Sequence, residues 1–193
     1  MLTPLWAAGW AATSAIVLLM TGCGRGSESS GYVSGDSVIE QVAVADRETL
    51  PAITGELLGS GTYDSRDYAG RVVVYNVWGS WCAPCRKEAP DLQRVWKETK
   101  NRGVQFVGVN VKDNDAAAMA FEREFGVTYP SINTEASATA LLSFASSLPA
   151  NAVPSTLVVD PEGRVAARVI GKTTYTTLVA LVRDVLAEDP GAR

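Results

Sequence analysis

The stretch from Arg71 to Cys85 limits the possible folds more than any other part of the chain. Arg71 to Trp78 is a β-branched and aromatic run of the kind that fills a central strand buried on both faces. It stops at Gly79 and Ser80, and from Ala83 to about Asn101 the set Leu92, Val95, Trp96 and Thr99 follows helical spacing. Pro90, inside that helix, is expected to kink it. A second buried strand, Val104 to Val111, precedes an Ala-rich helix that is capped by Asp113 to Asp115 and stopped after Phe125 by Gly126. Strand, helix, strand, helix predicts an α/β fold with parallel pairing and right-handed crossovers.

The flanking segments add shorter elements. Leu50 to Gly55 and Gly61 to Asp64 predict a small hairpin turning around Gly55 to Gly59. A third helix is expected from Ala136 to Ser146. Ser155 to Asp160 and Arg164 to Ile170 flank Pro161, Glu162 and Gly163, a strong hairpin signal. The last helix, Thr174 to Ala187, places Leu178, Leu181, Val182, Val185 and Leu186 on one face. Val38 to Val44 is apolar enough to be either an early strand or a sticky part of a tether. A domain of this size buries roughly 70% of the surface of its unfolded chain, so its core needs neither disulfide staples nor a structural metal.

Composition narrows the chemistry. The chain has three Cys and no His, which excludes Ser-His and Cys-His hydrolysis, histidine-ligated zinc or copper, and an imidazole base. A net charge of -4 supplies no basic field for nucleic acid. Reactivity falls to Cys82 and Cys85, in the sequence Trp81, Cys82, Ala83, Pro84, Cys85. Two cysteines so spaced at a helix start can close a disulfide without distorting the turn. Cys82 faces free N–H groups and the positive end of the helix dipole, which favours its thiolate. Cys85 lies a turn further in, so Cys82 is expected to attack a partner disulfide and Cys85 to resolve the mixed disulfide. Pro84 stiffens the turn and gives up an N–H that would be left over there. The competing readings are a passive structural disulfide and half of a metal site. The latter lacks further ligands, because the remaining Cys is remote and His is absent.

With these residues, the region from about Leu50 to Ala187 resembles the thioredoxin superfamily, and within it the TlpA/ResA/DsbE-like redoxin group of extracytoplasmic thiol-disulfide oxidoreductases. The matching positions are Asp67 to Arg71 before the strand, the W-C-A-P-C motif, Arg86 to Glu88, Pro90, Val153 to Asp160, and Gly163 to Val165. The resemblance implies a thioredoxin-like fold, a central mixed β-sheet flanked by helices, with an N-terminal β-hairpin and a helical insertion. It implies that Pro154 is a cis-proline facing the disulfide, with Val153 presenting its backbone to a substrate chain. Glu88 matches the partly buried acid that takes the Cys85 proton during resolution, against the reading of a solvated helix charge. Asn76 stands where cytoplasmic thioredoxins carry a buried acid, and Trp81 shields the disulfide and meets partners, or else packs in the core. Leu148 to Val153 lacks the compact Gly-containing turn frequent in the group, so the substrate groove is expected to differ.

The resemblance leans toward reduction of partner disulfides to thiols, such as those of apocytochrome c, fed by a membrane-embedded electron donor. No cofactor is called for. A peroxiredoxin-like thiol peroxidase is the alternative on the same fold, although the residues from Ser80 to Cys82 do not fit its Thr-x-x-Cys context. A non-enzymatic copper-binding or chaperone module would need a His ligand.

Met1 to Gly24 holds no charged side chain and ends in Thr21, Gly22 and Cys23. Small residues before a Cys that closes an apolar run resemble the bacterial lipobox, which predicts a signal peptide over 1–22 and lipidation of Cys23. Met20 stands where that motif usually has Leu, and no Lys or Arg precedes the run. An uncleaved membrane helix and simple secretion are the other readings, and all three place the domain outside the cytoplasmic membrane. The expected organisation is a Gly/Ser-rich tether over 23–48, a thioredoxin-like domain over 49–189 and a tail over 190–193.

Overall fold

The computed structural model describes residues 30–34 and 37–188. The signal segment, Cys23, the first part of the tether and the C-terminal tail lie outside the described residues.

Seven strands form one sheet: β1 (Ser30–Ser34), β2 (Ser37–Gln41), β5 (Val72–Trp78), β6 (Val104–Asn110), β7 (Ser131–Ile132), β8 (Ser155–Val159) and β9 (Val165–Ile170). Two short strands, β3 (Thr54–Glu56) and β4 (Thr62–Asp64), make the separate hairpin expected near Gly55. The sheet order is β1-β2-β9-β8-β5-β6-β7, with β5, β6 and β7 parallel and every other pair antiparallel. The helices are α1 (Ala83–Thr99), α2 (Asp115–Phe125), α3 (Thr134–Ser143) and α4 (Tyr175–Glu188).

Every residue of β5 and β6 is buried, as expected for these predominantly apolar runs, and Asn76, Gln105 and Asn110 are buried with them. Alternation then assigns faces. Val72 and Val74 join Phe106, Leu92 and Val95 of α1, and Leu178 and Val182 of α4 in one core. Val73, Tyr75 and Val77 turn the other way, into a core with Val107, Tyr63, Ile132 and Phe144. Asn114 caps α2 by accepting from the Ala117 amide at 2.9 Å, and Gly126 ends it with φ 64°.

Five findings refine the sequence reading. Ser37–Gln41 is a strand paired with β9, so the sheet extends N-terminally of residue 49, the expected start of the domain. The segment after it is fixed as well: Arg47, with little of its side chain exposed, pairs with Asp160 at 3.2 Å and with Glu188 at 2.7 Å. Helix α3 begins at Thr134 rather than Ala136, because the Asn133 side chain accepts from the Ala136 amide at 2.9 Å, and it ends at Ser143 rather than Ser146. Helix α1 continues through Pro90 to Thr99. Pro90 is exposed, so the hydrogen bond it cannot donate is missing on the solvent side. The two-residue strand β7 is too short for any periodicity to announce.

Gly108 of β6 is required by close approach. A Cβ there would overlap Ser131 Oγ and stand 2.7 Å from Trp78 Nε1. Gly108→Ala is expected to destabilise the protein by about 1–3 kcal/mol through overpacking. Urea denaturation checks this, and an unchanged midpoint would contradict the packing described.

Candidate active site

The site forms where β5 ends. Cys82 is the N-cap of α1, and its Sγ accepts from the Cys85 amide at 3.2 Å. Cys82 and Cys85 are joined in a disulfide with Cα atoms 5.2 Å apart. In this oxidised form they are 3% and 1% exposed, so Cys85 is the more enclosed, as expected, but Cys82 is also covered. Both pack with Trp78, Ala89, Ala118 and Phe121, and Trp78 stacks on Phe121 at 4.5 Å between centroids.

Trp81 is 54% exposed, which excludes the core-packing reading. Its Nε1 donates to the Val111 carbonyl at 3.2 Å. The ring lies over Gly79, where a Cβ would meet the indole. Asp113 fixes the turn before the cysteines by accepting from the Ser80 amide at 2.6 Å and the Ser80 hydroxyl at 2.9 Å.

The second wall comes from far along the chain. Ser155, first residue of β8, pairs with Val77, so the residues before it lie beside the end of β5. The Val153–Pro154 peptide is cis. Val153 is partly buried and packs against the cluster that contains both cysteines. Two bonds shape this loop: Ser155 Oγ donates to the Ala152 carbonyl at 2.7 Å, and the Gly171 amide donates to the Pro154 carbonyl at 2.9 Å.

Glu88 lies one turn beyond Cys85 on α1 and is 1% exposed, so it is not a solvated helix charge. Its Oε1 accepts from Asn76 Nδ2 at 2.9 Å and its Oε2 from the Thr173 amide at 2.8 Å. Asn76, itself buried, also donates to Thr156 Oγ1 at 3.3 Å. Burial pushes the Glu88 carboxyl up to about 7, against the opposing pull of the Thr173 and Asn76 hydrogen bonds and of Lys172. The structure thus gathers Trp81, Cys82, Cys85, Glu88, Val153 and Pro154 at one end of the sheet. It adds Thr173, which the sequence does not reveal, because a backbone N–H leaves no side-chain signal.

A redox-capable cysteine pair on a helix N-terminus, faced by a cis-proline loop on a thioredoxin-like sheet, defines the class of thiol-disulfide oxidoreductases. The Redoxin family pattern matches residues 45–183, and the chain belongs to that family. It is 32% identical over 113 residues to the thiol-disulfide oxidoreductase ResA of Bacillus subtilis (strain 168), covering 58% of this chain and 60% of that protein. It is 34% identical over 149 residues to the thiol:disulfide interchange protein HelX of Rhodobacter capsulatus, covering 75% of this chain and 78% of that protein. The crystal structure of a secreted thiol-disulfide isomerase from Corynebacterium glutamicum aligns with a TM-score of 0.70 at 30% identity, over 82% of this chain and 100% of that one.

The buried acid makes stability depend on pH. A carboxyl whose pKa is 4.5 when free and about 7 when folded binds its proton more tightly in the folded state. Its contribution is full below the free value and is lost as pH rises toward neutrality, by on the order of 3 kcal/mol. Urea unfolding of the oxidised protein is expected to show this loss, and Glu88→Gln to flatten it. Parallel pH profiles for the two proteins would contradict the assignment.

Proposed function

We propose that this protein is an extracytoplasmic protein-disulfide reductase in which Cys82 is the nucleophile and Cys85 the resolving thiol. The observation that carries the reading is the Cys82–Cys85 pair at the start of α1, with a buried acid one turn behind it. In the dithiol form, the Cys82 thiolate attacks a partner disulfide, forms a mixed disulfide and releases one partner thiolate. The Cys85 thiol passes its proton to Glu88, and the resulting thiolate attacks Cys82 Sγ. The Cys82–Cys85 disulfide closes and the second partner thiolate leaves, so two electrons reach the partner. A membrane-embedded donor returns the pair to the dithiol.

Val153 and Pro154 are the docking edge for an extended partner chain, and exposed Trp81 is the contact beside it. Disulfides of partner proteins, with apocytochrome c the candidate drawn from the family likeness, are the substrates, and the partner thiols are the products. The similar Corynebacterium glutamicum isomerase is a secreted protein, which supports an extracytoplasmic site of action. The Thr21, Gly22, Cys23 sequence supports anchoring through a lipidated Cys23, with the tether holding the domain off the membrane.

The reduced protein is expected to reduce insulin. Cys82→Ser abolishes this, and Cys85→Ser accumulates a mixed disulfide visible on a non-reducing gel. Accumulation in Cys82→Ser instead would reverse the two roles. Intact mass of membrane-extracted protein is expected to show an acylated chain beginning at Cys23; a mass that includes Met1 would refute cleavage.

A further inference from the structure

Among the described residues, three buried side-chain polar atoms have no hydrogen-bond partner, and one of them is Thr173 Oγ1. Thr173 is also the residue whose amide holds Glu88 Oε2 at 2.8 Å. An unpaired buried hydroxyl is costly, so it calls for a state of the protein in which it is used.

The surroundings of Glu88 define that state. Both carboxyl oxygens receive N–H donors, one from Asn76 and one from the Thr173 backbone, an arrangement suited to the carboxylate. Once protonated, the group must donate its O–H, and neither nitrogen accepts. The Thr173 hydroxyl, three covalent bonds from the amide nitrogen, offers the lone pairs.

We propose that Thr173 is a positioning residue for the resolution step: its hydroxyl accepts the hydrogen bond of protonated Glu88 and so holds the proton taken from Cys85. This rests on the reading of Glu88 as the proton acceptor. The proton leaves Cys85 Sγ, the Glu88 carboxylate becomes the acid, and its O–H points to Thr173 Oγ1. When the partner thiolate is released, the proton returns to it or to water, and Glu88 is again a carboxylate.

The loop backbone that leads into Thr173 is held from two sides. The Gly171 amide donates to the Pro154 carbonyl at 2.9 Å, and Ser37 Oγ donates to the Lys172 carbonyl at 2.6 Å. The loop 171–173 therefore links the proposed docking edge to the acid. Other groups face Glu88 from each packed element: Asp91 on α1 raises its proton affinity, and Lys172 on the loop lowers it. Asn76 of β5 is neutral. Tyr129, after α2, stays neutral because burial, reinforced by Glu88 and Glu122, pushes its ionisation far up. Thr173 carries no charge, so replacing it leaves this field intact.

The test follows the Glu88 side-chain carboxyl by 13C NMR against pH in the disulfide form, with the signal assigned by its loss in Glu88→Gln. Thr173→Val keeps the shape and the amide but removes the hydroxyl, and Thr173→Ser restores it. Thr173→Val is expected to weaken proton binding at Glu88 about tenfold, a midpoint about one unit lower, with Thr173→Ser within about twofold of the parent. An unchanged or higher midpoint in Thr173→Val overturns the proposal. That midpoint reports only on the Thr173–Glu88 bond, whereas the resolution rate of Glu88→Gln reports only on Glu88 as acceptor, so the two failures are distinguishable.

Discussion

The antiparallel pairing of Val77 with Ser155 is the contact on which the site depends. It brings the end of β5, from which the cysteines follow, beside the start of β8, from which the cis-proline loop precedes. These segments are more than seventy residues apart in the sequence, and no local interaction would join them. Side chains alternate along a strand, so a slip of one residue in this ladder would turn Asn76 away from Glu88 and Val77 out of its core. The register is protected because β5 is buried on both faces and also pairs in parallel with β6. The hydrophobic sheet and the redox site are therefore one design problem: the packing that stabilises β5 is the packing that aims Cys82.

The second constraint is the absence of histidine. Proton transfer at a buried thiol near neutral pH needs a group that titrates there, and imidazole is not present. Burial brings a carboxylic acid to the same range. Glu88 is kept from water on the inner face of α1, and two neutral N–H donors and the Lys172 charge only partly offset the cost of its own charge. The helix start acts in the other direction at Cys82, whose sulfur accepts from the Cys85 amide and lies at the positive end of the dipole. One helix thus offers a site that favours thiolate at its N-terminus and, one turn beyond Cys85, an acid whose proton affinity is raised by burial.

Much of this was readable from residues alone because it is carried by runs and local spacing. β5 and β6 are mostly apolar runs, the W-C-A-P-C motif sits at the junction of β5 with α1, and Gly126 and Asn114 bound α2 with familiar caps. What sequence could not show depends on distant partners. The β2 strand is short and only half apolar, and it becomes a strand because β9 offers an edge for it. The two residues of β7 follow β6 for the same reason. Arg47 looked like part of a tether until Asp160, more than a hundred residues away, supplied its counter-charge. Glu88 was visible as a candidate by its three-residue offset from Cys85, but the Thr173 amide that holds it is a backbone group placed by the loop after β9. Trp81 shows the converse: its type suggested both core and surface, and only the fold, with the indole laid over Gly79, exposes it.

The direction of electron flow is the central claim, and the reduction potential of the Cys82–Cys85 pair tests it most directly. Pairs of this kind range from about -270 mV for reductants to about -120 mV for strong oxidants. Equilibration of the purified protein with glutathione or dithiothreitol couples is expected to place this pair toward the reducing end of that range. A value near the oxidising end would contradict the account and make the protein a donor of disulfides rather than a reductase.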